Sequence, residues 1–105
     1  MKTMLTAAVL VVGMMSFGVA TAGGDAAAGE KVFNHVCKMC HGSGIMGAPK
    51  LGDKEGWAER AKQGEATLTD HALVGYRKMP PRGTCKKCTD EEIANAVAYL
   101  ISRAK

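Results

Sequence analysis

Apolar positions fall into two regimes along this chain. From Met4 to Val19 they run almost unbroken, whereas beyond residue 22 they recur at helical intervals among polar neighbours. The clearest periodicity comes last. Ile93, Ala96, Val97, Leu100 and Ile101 share one face at the spacing of an amphipathic helix. Thr89-Asp90-Glu91-Glu92 precedes them as a capping box, with acidic side chains in the positive first turn and Arg103 and Lys105 at the negative end. Asp25 caps a helix expected over about Ala26 to His35. Asp53 opens a second helical stretch around Trp57, closed by Gly64, and Thr67 precedes a third from Leu68 to about Tyr76. Residues 42–52, rich in glycine and holding Pro49, read as loop, and Pro80, Pro81 and Gly83 enforce a turn. No segment alternates with a period of two, so strands are not expected. The pattern predicts an all-α fold of four to five short helices.

The unbroken N-terminal run has a different meaning. Lys2 supplies a positive start, the apolar stretch is 16 residues long, and Ala20-Thr21-Ala22 is a small-residue cleavage signal. A membrane-spanning helix needs ~20 apolar residues. The expectation is therefore a secretory signal peptide over residues 1–22, removed to leave one domain over residues 23–105, with no stable membrane anchor. No cysteine follows the expected cut, which argues against a lipid anchor. Export of this bacterial type delivers the chain to the periplasm.

What remains is 83 of the 105 residues, enough for a modest core that profits from a staple. The 47% hydrophobic content is inflated by the leader, and loss of Lys2 takes the formal charge from +4 to +3. That is far from a nucleic-acid-binding extreme, and no aromatic residues interleave a basic run, so no nucleic-acid partner is expected. No Ser-His-Asp constellation or paired-carboxylate signature points to an enzyme.

Residues 37–41 supply the chemistry: Cys-Lys-Met-Cys-His, the C-x-x-C-H run that attaches c-type haem. Cys37 and Cys40 are spaced to form thioethers with the two vinyl groups of one porphyrin. His41 then falls beneath the iron as an axial ligand. One covalent haem c per chain is expected, since Thr89 stands where a second motif, at Cys85 and Cys88, requires histidine. For the other axial position Met79, braced by Pro80-Pro81, competes with bis-histidine ligation through His35 or His71. Met39 and Met46 lie too near His41 in sequence to reach the opposite face. Two decoys accompany the motif. The pairs Cys37/Cys40 and Cys85/Cys88 form a four-cysteine array, but 44 residues separate them, well beyond the ~15–20 of a zinc ribbon. Gly42 to Gly47 fits G-x-G-x-x-G without the strand and helix that a nucleotide site needs.

The run Gly29-Glu30-Lys31-Val32-Phe33 before C-x-x-C-H, with the distant Met79, resembles a class I c-type cytochrome. Gly47-Ala48-Pro49-Lys50-Leu51-Gly52-Asp53, Lys78-Met79-Pro80-Pro81-Arg82-Gly83 and Cys85-Lys86-Lys87-Cys88 narrow the likeness to the cytochrome c5 type, over Gly24 to Ala104. The resemblance implies a small cytochrome c fold wrapped around one haem, with His41 and Met79 as axial ligands. It implies that Gly29 and Phe33 cross the last helix at Ala96, Tyr99 and Leu100, and that the Pro49 carbonyl accepts the His41 ring N–H. Trp57 and Arg60 become candidates to contact a haem propionate. In an oxidising compartment Cys85 and Cys88 are expected to pair, and the resemblance supports that disulfide.

The function expected is that of a soluble, monomeric, one-electron carrier cycling Fe(III)/Fe(II) between a respiratory donor and an oxidase or reductase. Lys38, Lys50, Lys54, Arg77, Lys78, Arg82, Lys86 and Lys87 flank the haem-bearing segments as a possible basic rim for redox partners. Two other readings stand beside it: a haem enzyme or gas sensor with a labile Met79, and a four-cysteine zinc module.

Overall fold

Asp25 opens helix α1, Ala26–Val32, its carboxylate accepting from the N–H groups of Ala27 and Ala28 at 2.9 and 3.2 Å. The computed structural model to which this helix belongs describes residues 23–105, so the expected leader lies outside the described residues. The chain does not leave the helix at His35. It widens into a π-helical stretch, Phe33–Cys37, in which the Lys38 N–H reaches back to the Phe33 carbonyl, and re-enters α-helix as α2, Lys38–His41. An extra residue in a turn re-aims the side chains that follow, and such π segments gather at functional sites. The C-x-x-C-H run is thus held on helix rather than on a connecting loop.

Asp53 caps α3, Lys54–Ala61, by accepting from the Gly56 N–H at 3.1 Å. Helix α4, Glu65–Val74, differs from the sequence expectation at both ends. It starts three residues earlier, because Gly64 at φ 91° caps it and Glu65 serves the positive first turn, which leaves Thr67 inside the helix. It stops at Val74 because Gly75, also at φ 91°, breaks the helix before Tyr76. The Thr89 box closes in both directions at 3.0 and 3.1 Å ahead of α5, Asp90–Arg103. Short 3-10 turns at Ile45–Gly47 and Pro81–Thr84 complete the described chain, with no strand beyond an isolated bridge between Tyr76 and Met79. The all-α expectation holds. Among the described residues no helix is long and apolar enough to cross a membrane.

The frame is the crossing of α1 over α5. Gly29 is buried there, and a Cβ added to it would collide with the Asn95 carbonyl and meet the Ala96 nitrogen at 2.8 Å. One turn on, Phe33 is 1% exposed, its ring 5.4 Å from that of Tyr99, and it packs with Leu100 and Trp57. A second cluster joins Ile93 and Val97 of α5 to Ala72 of α4 and to Cys85 and Cys88. Between the two clusters the α5 face that periodicity predicted is buried.

Gly29→Ala separates packing from propensity. Helix propensity alone favours alanine by ~1 kcal/mol, whereas forcing a methyl into a filled backbone contact costs ~1–3 kcal/mol or more. Thermal denaturation of the haem-loaded protein is expected to show net destabilisation; a raised midpoint would mean that the crossing is not close-packed.

Candidate haem site

The π-helical stretch, helices α2 and α5, the second half of α3, one face of α4 and the segment from Tyr76 enclose a cleft of about 410 Å³. Its size and mostly hydrophobic walls, built by residues such as Val36, Leu68, Ile93, Val97 and Leu100, suit a large flat apolar ligand. Cys37, Cys40, His41 and Met79 all line it, as do Pro49, Trp57 and Arg60.

On one wall, the end of the π-helical stretch and α2 together carry Cys37, Cys40 and His41 within five consecutive residues. The two cysteines are unpaired and half-buried. Burial, the larger cause, together with the nearby Cys40 charge pushes the Cys37 thiol up to about 11, a backbone hydrogen bond opposing them only in part. At neutral pH Cys37 is therefore a thiol beside an apolar cleft. His41 is buried, and its Nδ1 lies 2.8 Å from the Pro49 carbonyl oxygen. A carbonyl only accepts, so Nδ1 carries the proton and Nε2 keeps its lone pair. The neighbours of Pro49 are secured as well: the Leu51 N–H donates to the His41 carbonyl at 2.7 Å, and Trp57 Nε1 donates to the Lys50 carbonyl at 2.9 Å. Three successive loop residues are thus tied to α2 and α3.

The single N–H of Trp57 is engaged by backbone, and the indole walls the cleft, its ring 5.8 Å from that of His41. Arg60 is exposed at the cleft with Nη1 donating to the Gly56 carbonyl, which leaves its other N–H groups free to meet an anion.

The facing wall is a tight reversal. Tyr76 and Met79 exchange backbone hydrogen bonds at 3.0 and 2.9 Å, and Arg77 between them takes φ 53°. Tyr76 is stacked on His71 at 4.0 Å with planes 4° apart, so the reversal leans on α4. Pro80 is extended beyond Met79 and Pro81 opens the 3-10 turn, and a Cβ on Gly83 would lie 3.6 Å from the Met79 methyl. Arg82 then anchors the segment. Its Nη2 donates to the Cys88 carbonyl at 2.6 Å and pairs with Asp90 at 2.8 Å. Arg82 is one of the cations expected to flank the haem-bearing segments. It is half-buried and engaged, a role that no local pattern announces because its partners lie six and eight residues further on, at Cys88 and Asp90. Cys85 and Cys88 form a disulfide, buried with Cα atoms 5.4 Å apart.

The other candidates lie elsewhere. Met39 and Met46 are 77% and 61% exposed at the cleft mouth, His35 is exposed outside it, and His71 lines it with its ring against Tyr76. A four-cysteine metal cage is not formed, because one pair is bonded to itself while the other faces the cleft. The Gly42–Gly47 run follows a helix rather than a strand. An apolar cleft with two thiols and an oriented imidazole on one wall and a thioether on the other fits a covalently attached haem.

Comparison with known proteins agrees with this fit. The family described as cytochrome C oxidase, cbb3-type, subunit III, matches residues 24–100. Cytochrome c-555 of Chlorobaculum tepidum is 45% identical over 85 residues, covering 77% of this chain and 79% of its own length. Cytochrome c5 of Azotobacter vinelandii is 43% identical over 80 residues, covering 74% and 96%. A chain in the crystal structure of an electron transfer complex of nitrite reductase with cytochrome c superposes with a TM-score of 0.71 at 42% identity, over 74% of this chain and 95% of that one. Sequence, fold and cleft converge, and the chain belongs to this cytochrome c family, as a class I member of the c5 type, whose members carry covalently bound haem c.

Proposed function

We propose that the protein is a periplasmic one-electron carrier, exported with removal of residues 1–22, that uses His41 and Met79 as the two axial ligands of a haem held by Cys37 and Cys40. The observation that carries this reading is the shared cleft: a ring-oriented imidazole and a braced thioether line it together with the only two unpaired thiols of the described residues. When bound, the haem supplies an iron that accepts and releases one electron.

Every other part of the task falls to the chain. Cys37 and Cys40 anchor the ring covalently. The Pro49 carbonyl fixes the His41 tautomer, which leaves Nε2 free and would make the imidazole a stronger donor to a bound iron. Met79, a soft uncharged ligand, favours the ferrous state and raises the potential. Its backbone bonds to Tyr76 and the Arg82 anchor hold the Met79 segment in place, which would limit reorganisation on electron gain or loss. No general acid, base or nucleophile is needed, and the reading is of a carrier rather than an enzyme.

The electron's exit is the cleft mouth, where Met39, Ile45 and Met46 are exposed beside Arg77 and Lys78. A partly apolar edge bordered by cations suits brief docking onto an acidic oxidase or reductase. The likeness to a cytochrome c chain in a nitrite reductase complex supports a redox-protein partner. We take the carrier to act as a monomer.

Met79→Ala tests the ligand assignment. The variant is expected to bind carbon monoxide when reduced and to lose more than ~59 mV of midpoint potential, a tenfold change in a one-electron equilibrium. An unaltered potential and spectrum would place the sixth ligand elsewhere. The rim is tested without the physiological partner: stopped-flow oxidation of the reduced protein by ferricyanide, an anion, should slow as ionic strength rises from about 0.01 to 0.15 M, where the Debye length falls from ~30 to ~8 Å. A flat or rising profile would argue against a basic mouth.

A further inference from the structure

Glu65 Oε1 is buried and has no hydrogen-bond partner among the described residues. A desolvated carboxylate oxygen without donors or a counter-charge is costly, so such a group calls for an explanation. Thr69 Oγ1, one turn further along the same face of α4, is buried and unmatched too. Against this carboxylate lies Gly23: a Cβ added there would stand 2.7 Å from Oε2 and 2.9 Å from Oε1. The next two residues are held as closely to α5. A Cβ on Gly24 would run into the backbone of Ala94 and Asn95, and the Asp25 N–H donates to Asn95 Oδ1 at 2.7 Å. Residues 23–25 therefore thread between the start of α4 and α5, and the two glycines permit the approach.

Gly23 is also the residue that follows Ala20-Thr21-Ala22. We propose that the α-ammonium of Gly23, released when the chain is cut after Ala22, is the partner of the Glu65 carboxylate. This rests on the processing site of the preceding section. Hydrolysis of the Ala22–Gly23 amide adds one water across the C–N bond, leaving a carboxylate on the leader and a primary ammonium on Gly23. In the precursor, the same nitrogen is an uncharged amide with a single N–H. After cleavage it has three N–H donors and a positive charge, on the residue packed against the carboxylate whose Oε1 lacks both. Helix α4 lines the haem cleft with Leu68, His71 and Ala72, and leads into the Met79 reversal. The pair thus fastens a wall of the cleft to the N-terminal segment and α5, and it forms only in the processed protein.

The test uses exported, haem-loaded protein in four forms: wild type, Glu65→Gln, a one-residue Ser insertion between Ala22 and Gly23, and both changes together. N-terminal sequencing of the wild type is expected to begin at Gly23. Glu65→Gln is expected to lower the thermal midpoint by about 4–8 °C in the chain that starts at Gly23, and to change it little once the insertion has moved the ammonium away. Labelling of the wild-type α-amine by an acylating reagent at neutral pH should be slow and should accelerate several-fold in Glu65→Gln. A mature chain that begins elsewhere would overturn the processing site and the pair with it. A Gly23 start with equal Glu65→Gln penalties in both backgrounds, or an equally reactive amine, would overturn the pair alone.

Discussion

The hydrogen bond from His41 Nδ1 to the Pro49 carbonyl organises the cleft. One contact of 2.8 Å settles which imidazole nitrogen is free, how the ring is turned, and how the glycine-rich loop returns to α2. The bonds on either side extend its reach, since Leu51 binds the His41 backbone and Trp57 holds the Lys50 carbonyl. A loop with little side-chain mass becomes rigid through its backbone partners. The donor strength of the imidazole is thereby written into residues eight positions away in the chain.

The facing wall is rigid for a different reason. Arg77, Arg82 and Thr84 adopt positive φ without being glycine, a conformation that costs roughly 1–3 kcal/mol per residue and survives only where surroundings over-determine it. Here they do: Tyr76 and Met79 lock each other's backbone, the Arg82 guanidinium reaches Cys88 and Asp90, and the Cys85–Cys88 disulfide ties off the end of the segment. Two independently braced walls suit an electron carrier, whose rate profits when geometry changes little between oxidation states. Closeness of α1 to α5 at Gly29 sets the frame on which both walls stand.

Much of this was legible in the residues themselves, because it rests on local rules. Asp25, Asp53 and Thr89 cap helices where their side chains and spacing predict, and the α5 stripe of Ile93, Val97 and Leu100 is buried. The C-x-x-C-H run names its chemistry by spacing alone. Features that depend on distant partners escaped. Helix α4 is capped at Gly64 rather than Thr67 because a positive-φ glycine outcompetes a threonine as boundary. The π-helical stretch has no composition signature, and the bond from Trp57 Nε1 to the Lys50 carbonyl joins α3 to a loop that no local pattern pairs with it. Arg82 looked like one more surface cation, and only folding brings Cys88 and Asp90 to it.

Ligation of iron from both walls is the claim on which the account stands, and an optical redox titration of the purified wild-type protein addresses it most directly. The account predicts a single one-electron transition at high potential, a c-type haem spectrum that resists acid-acetone extraction, and a far-red sulfur-to-iron charge-transfer band in the oxidised form. A transition without that band, or a porphyrin that extracts freely, would contradict it.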